Sequence, residues 1–431
     1  MLLIYTHKIT PRFSYTMKQV FTKILGIEIG FTTKVEDFIK HNEAKITYTK
    51  QPLQNEFFVR SNDLLFEQGI SDIQLNVVQW DNTPCFFPTG ERSNIPYDIF
   101  AASFYLLSRY EEYLPHVKDI HGRFSPKDSV GYQHGFLDRP VVDLWALKLL
   151  DVLLERFPDL EHGKRSYVYE SIIDVTTSHC YSNRGVIRGA AGFLLDLGTF
   201  RLKRVYERIV VGLKIRKDPY DNFSELIAWH KQLKVKSIFF FQFANYSKYD
   251  KNVSTNSNTF KSLIKYIGDY SKVALAASYS SFANATLLKL EKQDLENVVN
   301  RPVYMSRMRY NRVDIPYTYR NLIEAEFTDD YTMGYSREVG FRAGTCTSFQ
   351  FYDIPLEVQQ PIKIHPFAIH DYALVNLKNR TAMMSKIKDV HDEVQQVNGK
   401  MVTVFSNELL GSTGKYQWKS IYKEILEKYN V

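Results

Sequence analysis

The stretch Y-V-Y-E-S-I-I-D-V, residues 167–175, decides the fold because it opens a regular alternation of strands and helices. Its β-branched and aromatic residues are typical of a buried strand. After it, apolar runs of strand length alternate with helical stretches of ten or more residues, as far as M-V-T-V-F-S at 401–406. Strands separated by helices of that length pair in parallel. Six or seven such repeats predict a barrel-like sheet, with its chemistry where strands end and loops begin.

The expected strands of this region are 167–175, 236–243, 273–278, 302–306, 331–335, part of 362–373, and 401–406. The expected helices are 189–213, 223–233, 258–270, 284–299, 318–327 and 380–397. The sequence therefore predicts an α/β fold for residues 167–431.

Residues 1–160 predict a smaller mixed α/β domain. Short strand-like runs near the N-terminus and up to residue 80 are followed by two amphipathic helical patterns, 97–113 and 143–157. The polar segment P-D-L-E-H-G-K-R-S, 158–166, holds Pro and Gly and predicts a linker.

Composition excludes several classes of protein. The 431 residues carry 55 Lys and Arg against 48 Asp and Glu, a net charge of +7 that is too mild to indicate nucleic-acid binding. Three widely spaced cysteines exclude a disulfide scaffold and a zinc ribbon. The N-terminus lacks the pattern of a secretory signal, and no stretch approaches the ~20 apolar residues of a membrane span. We therefore expect a cytoplasmic protein.

Polar side chains at the predicted strand ends are the candidates for chemistry. They are Asp174, Thr176, His179, Ser278, Tyr279, Ser280, Arg307, Arg309, Arg342, Ser406, Asn407 and Glu408.

Several longer strings accompany these residues. They are P-Y-D-I-F-A-A-S-F-Y-L-L-S-R-Y-E-E-Y (96–113), H-G-R-F (121–124), R-P-V-V-D-L-W (139–145), K-D-P-Y-D (217–221), T-Y-R-N-L-I-E-A (318–325), D-D-Y-T-M-G-Y (329–335) and G-F-R-A-G-T-C (340–346). With them the chain resembles the polysaccharide deacetylase family of carbohydrate esterases, in the bacterial form found in Bacteroidetes with an extra N-terminal domain of unknown role. The resemblance implies a distorted (β/α)7 barrel for residues 167–431.

The resemblance also implies a metal-dependent chemistry. In the family, one Asp and two His hold a divalent metal, usually zinc, and leave a position for water. A second Asp is the base, a late His is the acid, and an Arg holds the basic Asp. Here Asp174 matches the base and Arg342 matches the Arg, so we expect these two side chains to pair.

The other family positions have changed in this sequence. Thr176 stands where the metal-ligating Asp is expected, and Ala276 and Arg309 stand where the two His are expected. Ser406 replaces the acid His. Thr is a poor zinc ligand, Ala supplies none, and Arg cannot lose its proton to coordinate a metal. We therefore expect no metal or other cofactor, with Asp174 and Arg342 as vestiges of a catalytic site.

Two functions from different classes remain open. The first is a non-catalytic deacetylase-like protein that binds a glycan or a partner protein of surface-polysaccharide metabolism, with Tyr279, Asn407 and Glu408 as candidate ligand-binding residues. The alternative is an active hydrolase that removes N- or O-acetyl groups and recruits a histidine from elsewhere; the histidines concerned are His179, His365 and His370. A third reading is a purely structural protein in which the barrel is a spacer.

Residues 201–217 are strongly basic, with seven Lys or Arg and one Glu. Such a run is typical of the solvated outer face of a barrel helix, which we expect here in preference to a membrane contact.

Overall fold

The computed structural model describes residues 1–412 and 416–430. In the N-terminal region, residues 1–160, four strands form a parallel sheet in the order β2-β1-β3-β4, and a small antiparallel hairpin lies beside it. The strands are β1 (Leu2–Tyr5), β2 (Ile29–Thr32), β3 (Lys45–Thr49), β4 (Phe57–Arg60), β5 (Val78–Trp80) and β6 (Thr83–Cys85). The helices are α1 (Pro11–Met17), α2 (Val35–Lys40), α3 (Ile99–Leu107), α4 (Val130–Gln133) and α5 (Val141–Arg156), and α1 continues as a π-helix over Lys18–Ile24.

The C-terminal region, residues 167–431, is built on a nine-stranded sheet. Its strands are β7 (Val168–Val175), β8 (Lys236–Phe241), β9 (Lys272–Ala277), β10 (Met305–Met308), β11 (Asp329–Asp330), β12 (Phe349–Asp353), β13 (Val358–Ile364), β14 (Ile369–His370) and β15 (Lys400–Ser406). The order is β12-β13-β11-β10-β9-β8-β7-β15-β14, and all neighbours are parallel except β12 and β13. The predicted parallel α/β sheet is therefore confirmed as an α/β sheet with one antiparallel edge.

Ten helices of the described residues cover this sheet or extend from it. They are α6 (Val186–Gly198), α7 (Leu202–Gly212), α8 (Phe223–Gln232), α9 (Asn258–Gly268), α10 (Ala285–Val299), α11 (Tyr317–Glu324), α12 (Asp371–Val375), α13 (Arg380–Gln396), α14 (Asn407–Leu410) and α15 (Trp418–Tyr429). Among the residues that the structure describes, no helix is long and apolar enough to cross a membrane.

The sheet encloses a small apolar core of its own. This inner core draws side chains from strands across the sheet: Ile172, Ile238, Phe240, Ala274, Ala276, Tyr331, Phe367, Val402 and Val404. The ring centroids of Phe240 in β8 and Tyr331 after β11 are 5.4 Å apart, although β8 and β11 are three strand spacings apart in the sheet, ~14 Å if it were flat. The sheet therefore curves around these residues.

Four boundaries differ from the sequence-based prediction. The helix predicted over 97–113 ends at Leu107, where Arg109 takes a left-handed conformation with φ 56°. The helix predicted over 189–213 is two helices, separated near Phe200, whose φ is 52°. No residue of the strand predicted over 331–335 is in a strand, and a two-residue strand lies just before it at Asp329–Asp330; the run that ends at Trp80 is a strand only from Val78.

A buried charge cluster joins the two regions. Glu112 accepts hydrogen bonds from Arg342 (Nε 2.8 Å and Nη2 2.5 Å) and from Arg109 Nε at 2.8 Å. Arg109 also donates to Glu111 at 2.7 Å and to the backbone carbonyl of Arg342. All four side chains are buried. A buried charge is tolerated only when it is paired and hydrogen-bonded, so this cluster fixes Tyr110–Glu112 against the segment around Arg342.

A second network fixes the same interface a few residues further on. The buried carboxylate of Asp143 accepts from Thr345 Oγ1 at 2.6 Å, from the Cys346 N–H at 3.0 Å and from Arg165 Nη1 at 3.0 Å. The strings 96–113, 139–145 and 340–346, on which the family resemblance rests, thus contain residues that hold the two regions together.

Gly340 shows how closely the backbones approach there. Its φ is +144°, and a Cβ at this position would collide with the carbonyl oxygen of Leu137. That carbonyl accepts the Phe341 N–H at 2.7 Å. Only glycine satisfies both the backbone conformation and the contact.

We expect Glu112→Gln to lower the free energy of unfolding by about 3–5 kcal/mol, because it leaves the buried Arg342 without its carboxylate. Denaturant unfolding measures the change, and the exposed Glu91→Gln is the control. A loss below about 1 kcal/mol would contradict the role given to the cluster.

The same residue predicts a pH dependence. Burial alone would raise the pKa of Glu112, but Arg342 and Arg109 outweigh it and lower the pKa from 4.5 to about 2. Because the folded pKa lies below the unfolded value, the stabilisation is complete above about pH 4.5 and is lost as pH falls towards 2. We expect unfolding free energy to fall through this window in the wild type and to fall less in Glu112→Gln.

Candidate functional site

The carboxyl ends of the parallel strands β7, β8, β9, β10 and β15 lie together at one end of the sheet. This end is here called the mouth. Asp174 is the last inward-facing residue of β7, two positions after Ile172 of the inner core. Its Oδ2 accepts Arg307 Nε of β10 at 2.9 Å. Arg307 is 2% exposed and also donates to the Tyr331 carbonyl and to Asn311 Oδ1, both at 2.5 Å. A fully bonded guanidinium therefore fills the centre of the mouth.

The expected pairing of Asp174 with Arg342 is wrong. The guanidinium of Arg342 pairs with Glu112, and Asp174 pairs with Arg307. The string that contains Arg342 follows a strand end in sequence, but the strong attraction of a buried carboxylate from the N-terminal region draws it to the interface.

Thr176 and Ser406, which the sequence analysis matched to a ligand position and to the acid position, bond to other side chains. Thr176 donates to Glu408 Oε1 at 2.6 Å. Ser406 donates to Asp371 Oδ2 at 2.7 Å through both its N–H and its hydroxyl. Burial alone would raise the pKa of Asp371, but the neighbouring His370 and the Ser406 bonds lower it. These bonds fix the loops at the mouth in place.

The remaining predicted residues divide between interior and rim. Ala276 is 3% exposed and belongs to the inner core. Arg309 lies at the rim, with its guanidinium carbon 4.6 Å from the centre of the Tyr310 ring and Nη2 3.4 Å from the Tyr249 carbonyl. Asn407 uses its amide nitrogen to bind the carbonyls of Thr177 and Tyr220, at 3.0 and 3.1 Å. Its role as a ligand-binding residue, like that of Glu408, stays a prediction.

Tyr279 belongs to an aromatic cluster, defined by His121, Tyr249, Tyr279 and Tyr310, in which each ring contacts the other three. The Tyr249 and Tyr279 rings stack at 4.1 Å, and the His121 ring stacks on Tyr310 at 4.8 Å with an interplanar angle of 8°. His121 Nδ1 lies 3.4 Å from the Tyr279 hydroxyl. All four rings are only partly buried. They form a partly open aromatic surface at the mouth.

The N-terminal region supplies one of these rings. The loop 114–124 follows Glu112 directly and carries His121 to the mouth. Arg312 Nε donates to the His121 carbonyl at 2.8 Å, and Arg123 Nη1 donates to the Tyr310 carbonyl at 2.9 Å. Burial, followed by the charge of Arg123, lowers the pKa of His121, which favours a neutral imidazole at pH 7. The aromatic cluster is therefore built by both regions.

Two cations of the mouth have no carboxylate partner in the part of the chain that the structure describes. Arg309 and Arg312 make bonds to carbonyl oxygens and contacts with aromatic rings, whereas Arg123 pairs with Asp119 at 2.7 Å. Buried polar atoms without a hydrogen-bond partner among the described residues also gather at the strand ends: Asp174 Oδ1, Gln242 Oε1, Arg309 Nε and Asn407 Oδ1. Such atoms need a ligand or ordered water.

The mouth does not fit a divalent metal. The one carboxylate at its centre, Asp174, is paired with Arg307, and the neighbouring guanidinium of Arg309 would repel a cation. Within residues 1–412 and 416–430, no group of three or more His, Cys, Asp and Glu side chains is arranged to hold a metal ion.

The histidines considered for an alternative hydrolase are engaged elsewhere. His365 lies 2.7 Å from Asp329, 2.9 Å from Ser348 Oγ, and stacks on Tyr331 at 4.3 Å. His179 Nδ1 lies 3.1 Å from Ser178 Oγ.

Sequence reasoning missed three members of the aromatic cluster. Tyr310 follows Arg309 directly, and its φ of 59° together with that of Asn311, 53°, turns the chain at the mouth. Two consecutive left-handed residues that are not glycine are unusual and gather at functional sites. The string H-G-R-F contains His121, but only the assembled interface shows that it reaches the mouth.

A model of a family of unknown function, DUF7033, matches residues 2–158, and no curated protein sequence matches the chain significantly. A proposed polysaccharide deacetylase from Mycobacterium smegmatis is similar in structure, with TM-score 0.40 and 10% identity, over 62% of this chain and 84% of that one. The polysaccharide deacetylase Bc1974 from Bacillus cereus gives a TM-score of 0.31 with 10% identity, over 62% of this chain and 88% of that one. PuuE allantoinase gives a TM-score of 0.39 with 9% identity, over 62% of this chain and 84% of that one. TM-scores this low do not establish a shared function.

Proposed function

We propose that the chain is a catalytically degenerate relative of the polysaccharide deacetylases whose mouth binds an acidic glycan without deacetylating it. The observation that carries the proposal is the pairing of Asp174 with the buried Arg307 beside a partly open aromatic cluster. Arg307 puts a positive charge beside Asp174, where a metal would have to bind, and the aromatic cluster supplies a surface for holding a sugar.

The fold is part of the proposal. The C-terminal region is a distorted (β/α)7 barrel, which is supported by the inner core and by the segment that follows β13. In that segment the Phe367 N–H donates to the Met333 carbonyl at 3.0 Å, and the Ala368 N–H donates to the Val402 carbonyl at 3.3 Å. The segment thus bonds both to the chain after β11 and to β15, although four strands lie between β11 and β15 in the sheet. The glycan enters at the carboxyl ends of the strands, as ligands do in other barrels.

Catalysis is absent on chemical grounds. Deacetylation in this family needs a polarised water, a base and an acid. The expected metal-ligand positions carry Thr176, Ala276 and Arg309, which cannot hold a metal that polarises water, and the acid position carries Ser406, which is bound to Asp371. The proposal therefore excludes the alternative of an active hydrolase.

Binding of an acidic sugar follows from the charges of the rim. The apolar faces of a sugar ring pack on tyrosine and histidine rings, while sugar hydroxyls satisfy polar atoms such as Asp174 Oδ1. Arg309 and Arg312, which lack carboxylate partners, favour a carboxylate on the ligand because charge-assisted hydrogen bonds are the stronger ones. A uronate-containing oligosaccharide combines both features.

We expect zinc to bind at less than about 0.1 equivalent per chain after incubation with a slight excess of zinc chloride and gel filtration, measured by elemental analysis. Added zinc should leave the melting temperature unchanged, because a ligand stabilises only a fold that binds it. N-acetylated chitooligosaccharides should release no acetate. One zinc per chain that is lost in Asp174→Asn, together with acetate release, would establish the hydrolase instead.

We expect Tyr279→Ala to weaken binding of a galacturonic acid hexamer about tenfold, because it removes a ring that contacts the other three of the aromatic cluster. Calorimetry of the full chain measures the change. Tyr270→Ala is the matched control, since Tyr270 is 55% exposed and lies just before β9, at the opposite end of the strands. Equal losses in the two variants, or no binding in the wild type, would contradict the proposal.

Arg309→Gln tests the charge separately. It should weaken binding of the acidic hexamer and leave binding of a neutral N-acetylglucosamine hexamer unchanged, because only the first offers a carboxylate. Weaker binding of both hexamers would mean that Arg309 maintains the shape of the mouth and does not bind the carboxylate of the ligand.

A further inference from the structure

Helices α6 and α7 form a helical hairpin that projects from the sheet. The basic hairpin, defined as residues 186–217, is joined at its base by Asp218. This carboxylate accepts the N–H groups of Cys180, Tyr181 and Ser182 at 2.8, 2.8 and 2.9 Å. Beyond the base, the two helices pack on each other, and between residues 188 and 217 only the side chains of Asp196 and Val211 are buried.

The basic hairpin exposes an unusual amount of apolar surface. Nine of the 27 exposed large hydrophobic residues of the described chain lie in it. They are Leu194 (65%), Leu195 (63%), Leu197 (46%), Phe200 (85%), Leu202 (64%), Tyr206 (66%), Ile209 (46%), Leu213 (66%) and Ile215 (74%). Contiguous exposed apolar surface of this kind marks an interaction site.

The apolar residues of α7 are ordered. Leu202, Tyr206, Ile209 and Leu213 follow one another at intervals of four, three and four residues, so they form one stripe along the helix. This stripe faces solvent, whereas an ordinary surface helix turns its apolar stripe to the core. The expectation that 201–217 is simply the polar outer face of a barrel helix therefore leaves this stripe without an explanation.

The exposed charges of the basic hairpin are mostly positive. Seven cations are exposed: Arg188, Arg201, Lys203, Arg204, Lys214, Arg216 and Lys217. The two carboxylates between residues 188 and 217 are both engaged: Asp196 is buried against Arg208 at 2.7 Å, and Glu207 accepts the Tyr181 hydroxyl at 2.8 Å. Lys217 also lies 3.5 Å from Asp221, so six of the seven exposed cations have no carboxylate partner among the described residues, and the surface combines apolar side chains with an excess of positive charge.

The basic hairpin lies beside the mouth. Arg188 places its guanidinium carbon 4.3 Å from the centre of the Tyr246 ring, and its Nη1 lies 3.4 Å from the Asn252 carbonyl. Tyr246 and Asn252 belong to the loop that follows β8, which also carries Tyr249 of the aromatic cluster. Whatever covers the basic hairpin is therefore adjacent to the sugar-binding rings.

We propose that the basic hairpin docks the protein on an anionic membrane surface, with its apolar side chains in the headgroup boundary and its cations at the phosphates. Helices with one apolar and one basic face lie in the membrane plane in this way. A second copy of the chain is a poor occupant, because it brings the same positive charge. A single protein groove would accept one stripe, whereas here both helices and the turn at Phe200 expose apolar residues.

The test is flotation of the full chain with vesicles of phosphatidylcholine alone or with 30% phosphatidylglycerol. We expect binding to the anionic vesicles, at least tenfold weaker binding to neutral vesicles, and marked weakening at 0.5 M salt. Absence of binding to anionic vesicles overturns the proposal. Concentration-dependent dimerisation that is abolished by the substitutions described below also overturns it.

Two triple variants separate charge from apolar insertion. Arg201→Glu with Lys203→Glu and Arg204→Glu should reduce binding to anionic vesicles at least tenfold. The control reverses the exposed Lys8, Lys34 and Lys40 of the N-terminal region and should retain binding at equal net charge.

Phe200→Ser with Leu202→Ser and Tyr206→Ser should also reduce binding at least tenfold. Unchanged vesicle binding in this variant would mean a purely electrostatic contact and would overturn docking through the apolar stripe. A failure of glycan binding does not bear on this test, because the vesicles contain no sugar.

Discussion

The carboxylate of Glu112 accepts hydrogen bonds from two buried guanidinium groups, one from each region of the chain. Because an unpaired charge in this position is strongly unfavourable, the N-terminal region is held in one orientation against the C-terminal sheet. The loop 114–124 starts two residues after Glu112, so the same constraint places His121 at the mouth. The aromatic cluster, and with it the proposed sugar site, depends on a charge cluster that contacts no ligand.

The mouth itself is organised by a second ion pair. Arg307 fills the space at the carboxyl ends of the strands and binds Asp174, the Tyr331 carbonyl and Asn311. A metal site needs several converging anionic or neutral donors, whereas this centre is closed by a cation. What the mouth retains is an open aromatic surface flanked by Arg309 and Arg312. The proposed function follows from this closed centre and from the aromatic surface beside it.

Much of the fold could be predicted from the sequence, because strand-length apolar runs and helical periodicity are local signals. The long strands β7, β8, β9 and β15 lie where the sequence predicts them. The strand predicted over 331–335 is wrong, because the strand at this point of the sheet is the two-residue β11, which lies just before that range.

The site was harder to predict because its parts are joined by long-range contacts. Asp174, Thr176 and Arg309 lie at strand ends as expected, but their partners are set by packing between elements far apart in sequence. Arg342 follows a strand end in sequence and yet serves the interface, since Glu112 offers it a buried carboxylate. His121 lies 158 residues from Tyr279, and no local pattern links the two.

The account is tested most directly by a crystal structure of the protein grown with zinc chloride and a galacturonic acid trimer, with diffraction recorded at the zinc edge. The account predicts a sugar ring against Tyr279, its carboxylate near Arg309, and no anomalous peak beside Asp174. A zinc ion coordinated by Asp174, with Arg307 displaced and the aromatic cluster empty, would contradict it.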